Sequence, residues 1–256
     1  MNDTLRQVCA TGALIVIFLV SGCYGGHTTR FVVPLDNAEL LSGLRPVKVA
    51  SLEREEEGIR LINVGVKAWG KFDDDDQANI RASLENTLIA ATRGRVVGNT
   101  ETINIYIVIR KYIVGVSNNA AAVWAGVDWC AADANNQVLF QEVFYATSTG
   151  RLVVTTGGVK DDVNFAIVKR IAQSTVGLAA SSQPVALNVP DTYSTYEEAA
   201  ATMPQTLRSW GMVVFIPVYT TQMPGYIPGT DPERFQLELA AINEPIDWQT
   251  RLAGDR

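Results

Sequence analysis

The sequence INIYIVIR, residues 103–110, decides the fold class of this chain. Isoleucine stands at every second position from Ile103 to Ile109, and the positions between them vary in character. Alternation with a period of two among β-branched residues predicts a β-strand that buries one face. Two further strands are predicted downstream, over 123–131 and 138–145, joined by a polar hairpin connection.

Two amphipathic helices are predicted on either side of these three strands in the chain. The first begins at the acidic run 73–76, because carboxylates in a first helical turn accept free amide hydrogen bonds and oppose the positive end of the helix dipole. The second begins at about Asp162. Apolar residues recur at helical spacing in both helices. They are Ile80, Leu84 and Leu88 in the first helix and Val163, Ile167 and Ile171 in the second.

Proline placement divides the chain into a domain and an arm. No proline occurs over 47–183, and eight of the chain's ten prolines follow that stretch. Because proline interrupts helices and central strands, we assign a domain to 34–182 and a Pro-rich arm to 183–256, and we expect the domain to fold without the arm. The elements predicted in the arm are a short helix with a capping box at Ser194 and Glu197 and an edge strand at Met212–Ile216.

The order of elements predicts the architecture of the domain. Two strands, over 47–52 and 59–66, precede the first helix. In this order, two strands and a helix precede three strands and a second helix. It predicts an α+β fold in which an antiparallel sheet has two amphipathic helices packed on one face. Trp124 and Trp129 are five positions apart in one strand, so alternation places them on opposite faces of the sheet. The tryptophan on the face away from the helices then requires cover from the arm or from a ligand.

Residues 1–22 have the layout of a bacterial lipoprotein signal peptide. A short polar start with Arg6 is followed by an apolar stretch shorter than the about 20 residues of a membrane-spanning helix. The residues Val-Ser-Gly-Cys ending at Cys23 resemble a lipobox, in which a lipid is joined to the cysteine and the signal is cut before it. The sequence therefore predicts lipidation at Cys23 and a tether over 23–33. An ordinary secretory signal with a nearby cysteine is the alternative.

Composition and histidine content exclude several classes of function. The net charge of −6 argues against a nucleic-acid partner, which normally needs a basic face. The single histidine, His27, falls in the tether, so the domain has none for Ser-His-Asp or Cys-His catalysis or for a His-ligated metal. Once Cys9 is removed with the signal and Cys23 is lipidated, Cys130 remains, and we interpret it as a small buried apolar residue.

Two groups of carboxylates are candidates for chemistry, and each has a simpler structural interpretation. Asp128 and Glu142, on the two arms of the predicted hairpin, could form a carboxylate pair for glycoside hydrolysis, but solvent-facing alternation explains both. The acids at 73–76 could bind calcium or magnesium, but they lack the spacing of a calcium-binding loop and suit a helix start. We therefore assign no catalytic residue, no cofactor and no metal site from the sequence.

The lipobox ending at Cys23, the Gly-rich tether and the order strand, helix, strands, helix resemble the small envelope lipoproteins of the lipopolysaccharide-assembly and YajG-like type. The resemblance covers residues 23 to about 180. It implies a membrane-anchored, non-catalytic binding, scaffolding or assembly module of the cell envelope, which has a protein or lipid partner. Tyr24, rather than aspartate, follows Cys23, which is typical of sorting to the outer membrane with the domain facing the periplasm. The alternative is a periplasmic hydrolase of envelope glycans that depends on Asp128 and Glu142.

Overall fold

A computed structural model of the chain describes residues 30–35, 45–55, 59–63, 72–92, 102–117, 120–151, 157–181, 189–209 and 241–254. Its centre is a sheet of six strands, in which β1, β3, β4, β5 and β6 follow one another in space and β2 also pairs with β3. The α+β fold class predicted from the sequence is confirmed. The strands are β1 (Val47–Arg54), β2 (Ile59–Asn63), β3 (Ile103–Ser117), β4 (Ala120–Ala132), β5 (Val138–Arg151) and β6 (Thr192–Tyr193). The helices of the described ranges are α1 (Asp74–Thr92), α2 (Gly157–Ser181), α3 (Tyr196–Ser209) and α4 (Trp248–Gly254).

The two N-terminal strands correct one part of the predicted sheet. Both pair with β3 in parallel, β1 along 103–109 and β2 along 112–116. The chain passes through α1 before it reaches β3, and a crossover of this kind lets the next strand start in the same direction. The pairs β3–β4 and β4–β5 are antiparallel, as expected. The short strand β6, which the sequence does not predict, is antiparallel to β5.

The helices α1 and α2 pack on one face of the sheet, as the two apolar stripes predict. Ile80 and Leu84 of α1 and Val163 and Ile167 of α2 are fully buried in one cluster with the alternating isoleucines of β3. The second helix begins at Gly157, earlier than the sequence indicates. In the described ranges, no helix combines the length and the apolar character that crossing a bilayer requires.

A bulge in β3 changes which side chains face the helices. The register with β4 shifts between Ile109 and Lys111. Beyond the shift, Tyr112 belongs to the cluster under α1 and α2, although the residues facing that cluster before the shift have odd numbers. The hydroxyl of Tyr112 donates a hydrogen bond to Asn164 Oδ1 of α2 at 3.1 Å, so the middle of the sheet is tied to the helix above it.

The arm covers the opposite face of the sheet, called here the outer face. Trp124 packs there with Ala199 and Ala200 of α3, whereas Trp129 lies in the cluster under α1 and α2. The prediction that the two tryptophans face opposite ways is therefore confirmed. The sequence predicts that the arm or a ligand covers the tryptophan on this face, and in the structure the arm covers Trp124.

The start of α3 differs by one residue from the predicted capping box. Thr195 caps the helix, since its hydroxyl oxygen accepts a hydrogen bond from the backbone amide of Glu198 at 3.3 Å. The hydroxyl of Ser194 accepts a hydrogen bond from Arg170 instead, at 2.8 Å. The predicted edge strand at Met212–Ile216 lies outside the described residues, and so do Cys23, His27 and the signal peptide.

Candidate functional site

Residues 241–254, called here the C-terminal strap, are held on the outer face by hydrogen bonds, among them three to side chains of β4 and β5. The backbone amide of Ile242 donates to the hydroxyl of Tyr145 at 2.9 Å. The backbone amide of Ile246 donates to Oδ2 of Asp128 at 2.7 Å. The indole nitrogen of Trp248 donates to the other oxygen of Asp128 at 2.6 Å. One carboxylate therefore holds the strap through both its backbone and a side chain.

A glycine in the middle of β4 leaves room for the close approach of the strap. A Cβ atom at Gly126 would lie 3.0 Å from Cδ1 of Ile242, which is tighter than nine in ten real Cβ contacts. A glycine inside a long strand often marks a place where another segment approaches the backbone. Gly126 is thus the one signal in the sequence that could have indicated where the strap docks.

Asp128 is a buried carboxylate, since only 1% of the residue is exposed. Burial raises the pKa of this carboxyl above its ordinary value, and the hydrogen bonds from Ile246 and Trp248 and the charge of Arg110 oppose that rise. The nearest guanidinium nitrogen of Arg110 is 3.6 Å from Asp128 Oδ2. A buried carboxylate needs such partners, and with both oxygens already bonded Asp128 serves to fix a segment in place.

Trp248 fills an apolar pocket on the outer face. Its ring centre is 6.4 Å from that of Tyr106, and the guanidinium of Arg251 lies 5.3 Å from the ring centre on one side. Burial in the same pocket raises the pKa of the Cys130 thiol to about 12, so the thiol stays protonated. This agrees with the interpretation of Cys130 as a buried apolar residue. The buried members of this cluster are Val108, Cys130, Ala132, Trp248 and Leu252.

An open cleft of about 350 Å³ lies beside the strap. Arg110 forms an ion pair with Glu55 and donates a hydrogen bond to the backbone carbonyl of Glu244 at 3.1 Å, which links β3 to the strap. Arg251 Nη2 is 2.7 Å from a carboxylate oxygen of Glu53. The lining residues are Glu53, Arg54, Glu55, Val108, Arg110, Glu244, Pro245, Ile246 and Arg251.

The chemistry of this cleft suits recognition of a polar chain segment. The side chains of Arg251 and Glu53 are 39% and 51% exposed, so each can exchange its present partner for a charged group of a bound peptide. Among the described residues that line the cleft, none carries a hydroxyl, thiol or imidazole. In the part of the chain that the structure describes, no three His, Cys, Asp or Glu residues come together as a metal-binding group.

Glu142 lies on the other side of the sheet from Asp128, so the carboxylate pair considered from the sequence does not form. Glu142 stands opposite Trp129 in the β4–β5 ladder and accepts a hydrogen bond from its indole nitrogen at 3.3 Å. It also forms an ion pair with Arg170 of α2, whose guanidinium lies 5.0 Å from the ring centre of Phe144. Because side chains alternate along a strand, residues one position out of register point to opposite faces.

The acidic run at 73–76 caps α1, as its simpler interpretation predicts. Asp73 Oδ1 accepts hydrogen bonds from the amides of Asp75 and Asp76, both at 3.1 Å, and Asp76 Oδ2 accepts one from the amide of Asp73 at 3.0 Å. The same Asp76 oxygen is 2.6 Å from Nζ of Lys160, and both side chains are buried. Burial raises the pKa of Asp76, and the neighbouring Lys160 opposes the rise.

Comparison with known proteins identifies no family for this chain. No protein-family model matches it, and a search of curated proteins finds no match. Among solved structures, one match is the 2.40 Å crystal structure of a "putative lipoprotein" from Caulobacter crescentus CB15. The sequence identity is 14%, the match covers 41% of this chain and 83% of that one, and the TM-score is 0.31. A structural similarity this limited supports no conclusion about fold or function. The resemblance to the YajG-like type therefore stays a prediction from the sequence.

Proposed function

We propose that this chain is a lipid-anchored lipoprotein of the bacterial cell envelope that acts as a non-catalytic binding, scaffolding or assembly module. The lipobox ending at Cys23 supports the anchor, and the tether beyond it supports a position at a membrane surface. Tyr24 after the lipidated cysteine supports the outer membrane, with the domain facing the periplasm.

The observation that carries the non-catalytic part of the proposal is the engagement of Asp128 by the strap. A general acid or a nucleophile needs room for a substrate at its oxygens, whereas Ile246 and Trp248 occupy both oxygens of this carboxylate. On the other side of the sheet, Trp129 and Arg170 hold Glu142. The two carboxylates on which a glycan hydrolase would depend thus have structural partners.

The cleft beside the strap is the surface that we assign to a protein partner. It combines half-exposed groups of both signs, Arg251 and Glu53, with apolar contacts from Pro245 and Ile246. Interfaces with charges of both signs gain specificity from electrostatic complementarity more than they gain affinity. The partner of this cleft is therefore expected to be a polar protein surface with charges of both signs.

Photo-crosslinking in living cells tests this function. A photoreactive amino acid in place of the exposed Pro245 in the cleft should give a discrete protein adduct, and the same group in place of the exposed Asn86 on α1 should not. Arg251→Ala should reduce the adduct from position 245 because it removes one charged contact. A fatty-acid label should be present on the same chain and absent after Cys23→Ser.

Two results would contradict the proposal. One is a chain that takes up no fatty acid with Cys23 intact, since the protein would then have no lipid anchor. The other is a purified protein that hydrolyses envelope glycans at a rate abolished by Asp128→Asn or Glu142→Gln. An adduct from position 245 that Arg251→Ala leaves unchanged would not add to these two, since it would show only that Arg251 is not one of the partner's contacts in the cleft.

A further inference from the structure

The surface of α1 and α2 that points away from the sheet, called here the outer surface of the helix layer and opposite to the outer face, carries three exposed large apolar side chains. Val32 is 53% exposed, Ile89 of α1 is 63% exposed and Phe165 of α2 is 37% exposed. In the described ranges only one further large apolar residue, Leu139, is comparably exposed. A single exposed apolar residue is ordinary, but three on one layer of a small protein call for an explanation.

Residues 30–35 lie on this same layer and place it close to the proposed anchor. The backbone amide of Phe31 donates to the hydroxyl of Ser83 at 3.1 Å, and that of Val33 donates to the hydroxyl of Thr87 at 3.0 Å, so the segment follows α1. The ring of Phe31 lies 5.5 Å from that of Phe165, so the segment also contacts α2.

The outer surface of α1 is also poor in charge beyond its first turn. From residue 78 to the end of the helix, Arg81 and Glu85 are the only charged residues, and they pair with each other at 3.0 Å. Arg30, at the start of the described segment, is exposed. The exposed side chains of this stretch are Ala78, Asn86, Ile89 and Ala90.

The length of chain between the anchor and this layer limits their separation. Position 30 is seven residues beyond Cys23, and an extended chain spans at most about 3.6 Å per residue, which gives a reach of about 25 Å. The strap lies on the opposite face of the sheet. The separation between position 30 and the strap therefore includes the thickness of the helix layer, about 10 Å, and that of the sheet itself. A lipid at Cys23 therefore brings the helix layer to the bilayer more readily than it brings the strap.

We propose that the outer surface of the helix layer, with Val32, Ile89 and Phe165, lies against the lipid surface to which the chain is anchored. The inference rests on the proposed lipidation of Cys23. Apolar side chains enter the boundary between headgroups and acyl chains, and an exposed cation such as Arg30 is attracted to anionic headgroups. This orientation turns the strap and its cleft away from the membrane.

Lipid crosslinking from defined positions tests this orientation in the full-length chain in cells. A photoreactive amino acid in place of Val32 or Ile89 should give adducts with radiolabelled phospholipid. The same group in place of Asn243, which is exposed on the strap, should give none. With the probe at position 32, Ile89→Asp should lower the yield of lipid adduct about fivefold, since a charge at the contact opposes insertion. Asn243→Asp is the matched control and should leave that yield unchanged.

Fatty-acid labelling of the same chains separates the two hypotheses. If the chain is labelled but position 243 reacts with lipid as strongly as positions 32 and 89, the orientation is wrong and the lipoprotein proposal stands. A labelled chain whose lipid adduct at position 32 is unaffected by Ile89→Asp also overturns the orientation. A chain with neither fatty acid nor lipid adducts overturns both.

Discussion

The indole nitrogen of Trp248 donates a hydrogen bond to Asp128 Oδ1 at 2.6 Å across a sequence separation of 120 residues. Asp128 lies in a central strand, and Trp248 begins the last described helix. Their contact fastens the end of the arm to the outer face of the sheet, and the ring of Trp248 closes the pocket above Cys130. The arm is thus part of the folded structure on this face.

Trp248→Ala should lower the free energy of unfolding by about 3–5 kcal/mol, because a fully buried ring leaves a cavity and Asp128 loses a donor. Trp248→Phe keeps most of the ring and removes the donor, so it should cost about 1–3 kcal/mol. Urea unfolding followed by circular dichroism measures both. Leu139→Ala, at a partly exposed position, is the control and should have a smaller effect. Equal stability of all four proteins would show that the strap does not stabilise the sheet.

Local patterns predict the elements of this fold, whereas the contacts of the outer face depend on residues far apart in sequence. The alternation from Ile103 to Ile109 predicts β3, because burial of every second residue of a strand produces a pattern among neighbouring residues of the sequence. The five-residue spacing of Trp124 and Trp129 predicts their opposite faces for the same reason. The parallel pairing of β1 and β2 is missed because pairing direction depends on the path of the chain through α1.

The candidate site is the part that sequence reasoning reaches least. Asp128 is a candidate from the sequence, but its strap partners belong to a stretch of loop-like composition with no periodic signal. Lys160 stands beside two aspartates and has no pattern that indicates burial, although its partner Asp76 belongs to a run the sequence does single out. Ion pairs between distant elements leave no trace in the sequence of either element.

Asp128→Asn should change the pH dependence of stability. Burial raises the pKa of Asp128 in the folded protein above its ordinary value of 3.8, so the folded state binds this proton more tightly than the unfolded chain does. Wild-type protein therefore loses free energy of unfolding as the pH rises from 3.8 to the folded pKa. Asparagine does not titrate, so the free energy of unfolding of the variant minus that of the wild type should rise over this interval.

Asp247→Asn should change the pH dependence of the free energy of unfolding in the opposite direction in the same experiment. Hydrogen bonds from Thr250 lower the pKa of Asp247 below 3.8, so the wild type gains stability as the pH rises towards 3.8. The difference, variant minus wild type, should therefore fall as the pH rises. Urea unfolding at a series of pH values measures both slopes. A flat difference for Asp128→Asn would mean that Asp128 titrates alike in the folded and unfolded states.

Lys160→Met should lower the free energy of unfolding by about 3–5 kcal/mol, because it leaves the buried carboxylate of Asp76 without its cation. The double variant Lys160→Met, Asp76→Asn removes the stranded charge and should recover part of that loss. Glu85→Ala is the control, since it breaks an exposed pair with Arg81 on the same helix and should cost about 0.3–0.5 kcal/mol. A loss for Lys160→Met no larger than that of the control would mean that water reaches the pair.

Removal of the arm tests whether the domain folds without it, a point on which the sequence and the structure lead to different expectations. The proline-free stretch predicts that the domain 34–182 folds without the arm, whereas the structure covers Trp124 with α3 and completes the partners of Asp128 with the strap. We therefore expect a chain that ends at Ser182 to expose a large aromatic surface and to lose cooperative urea unfolding. A chain that ends at residue 240 keeps α3 and should unfold cooperatively at a lower urea concentration than the whole protein. If the chain ending at Ser182 unfolds at the midpoint of the whole protein, the arm contributes nothing to the core and the boundary drawn from proline placement is the correct one.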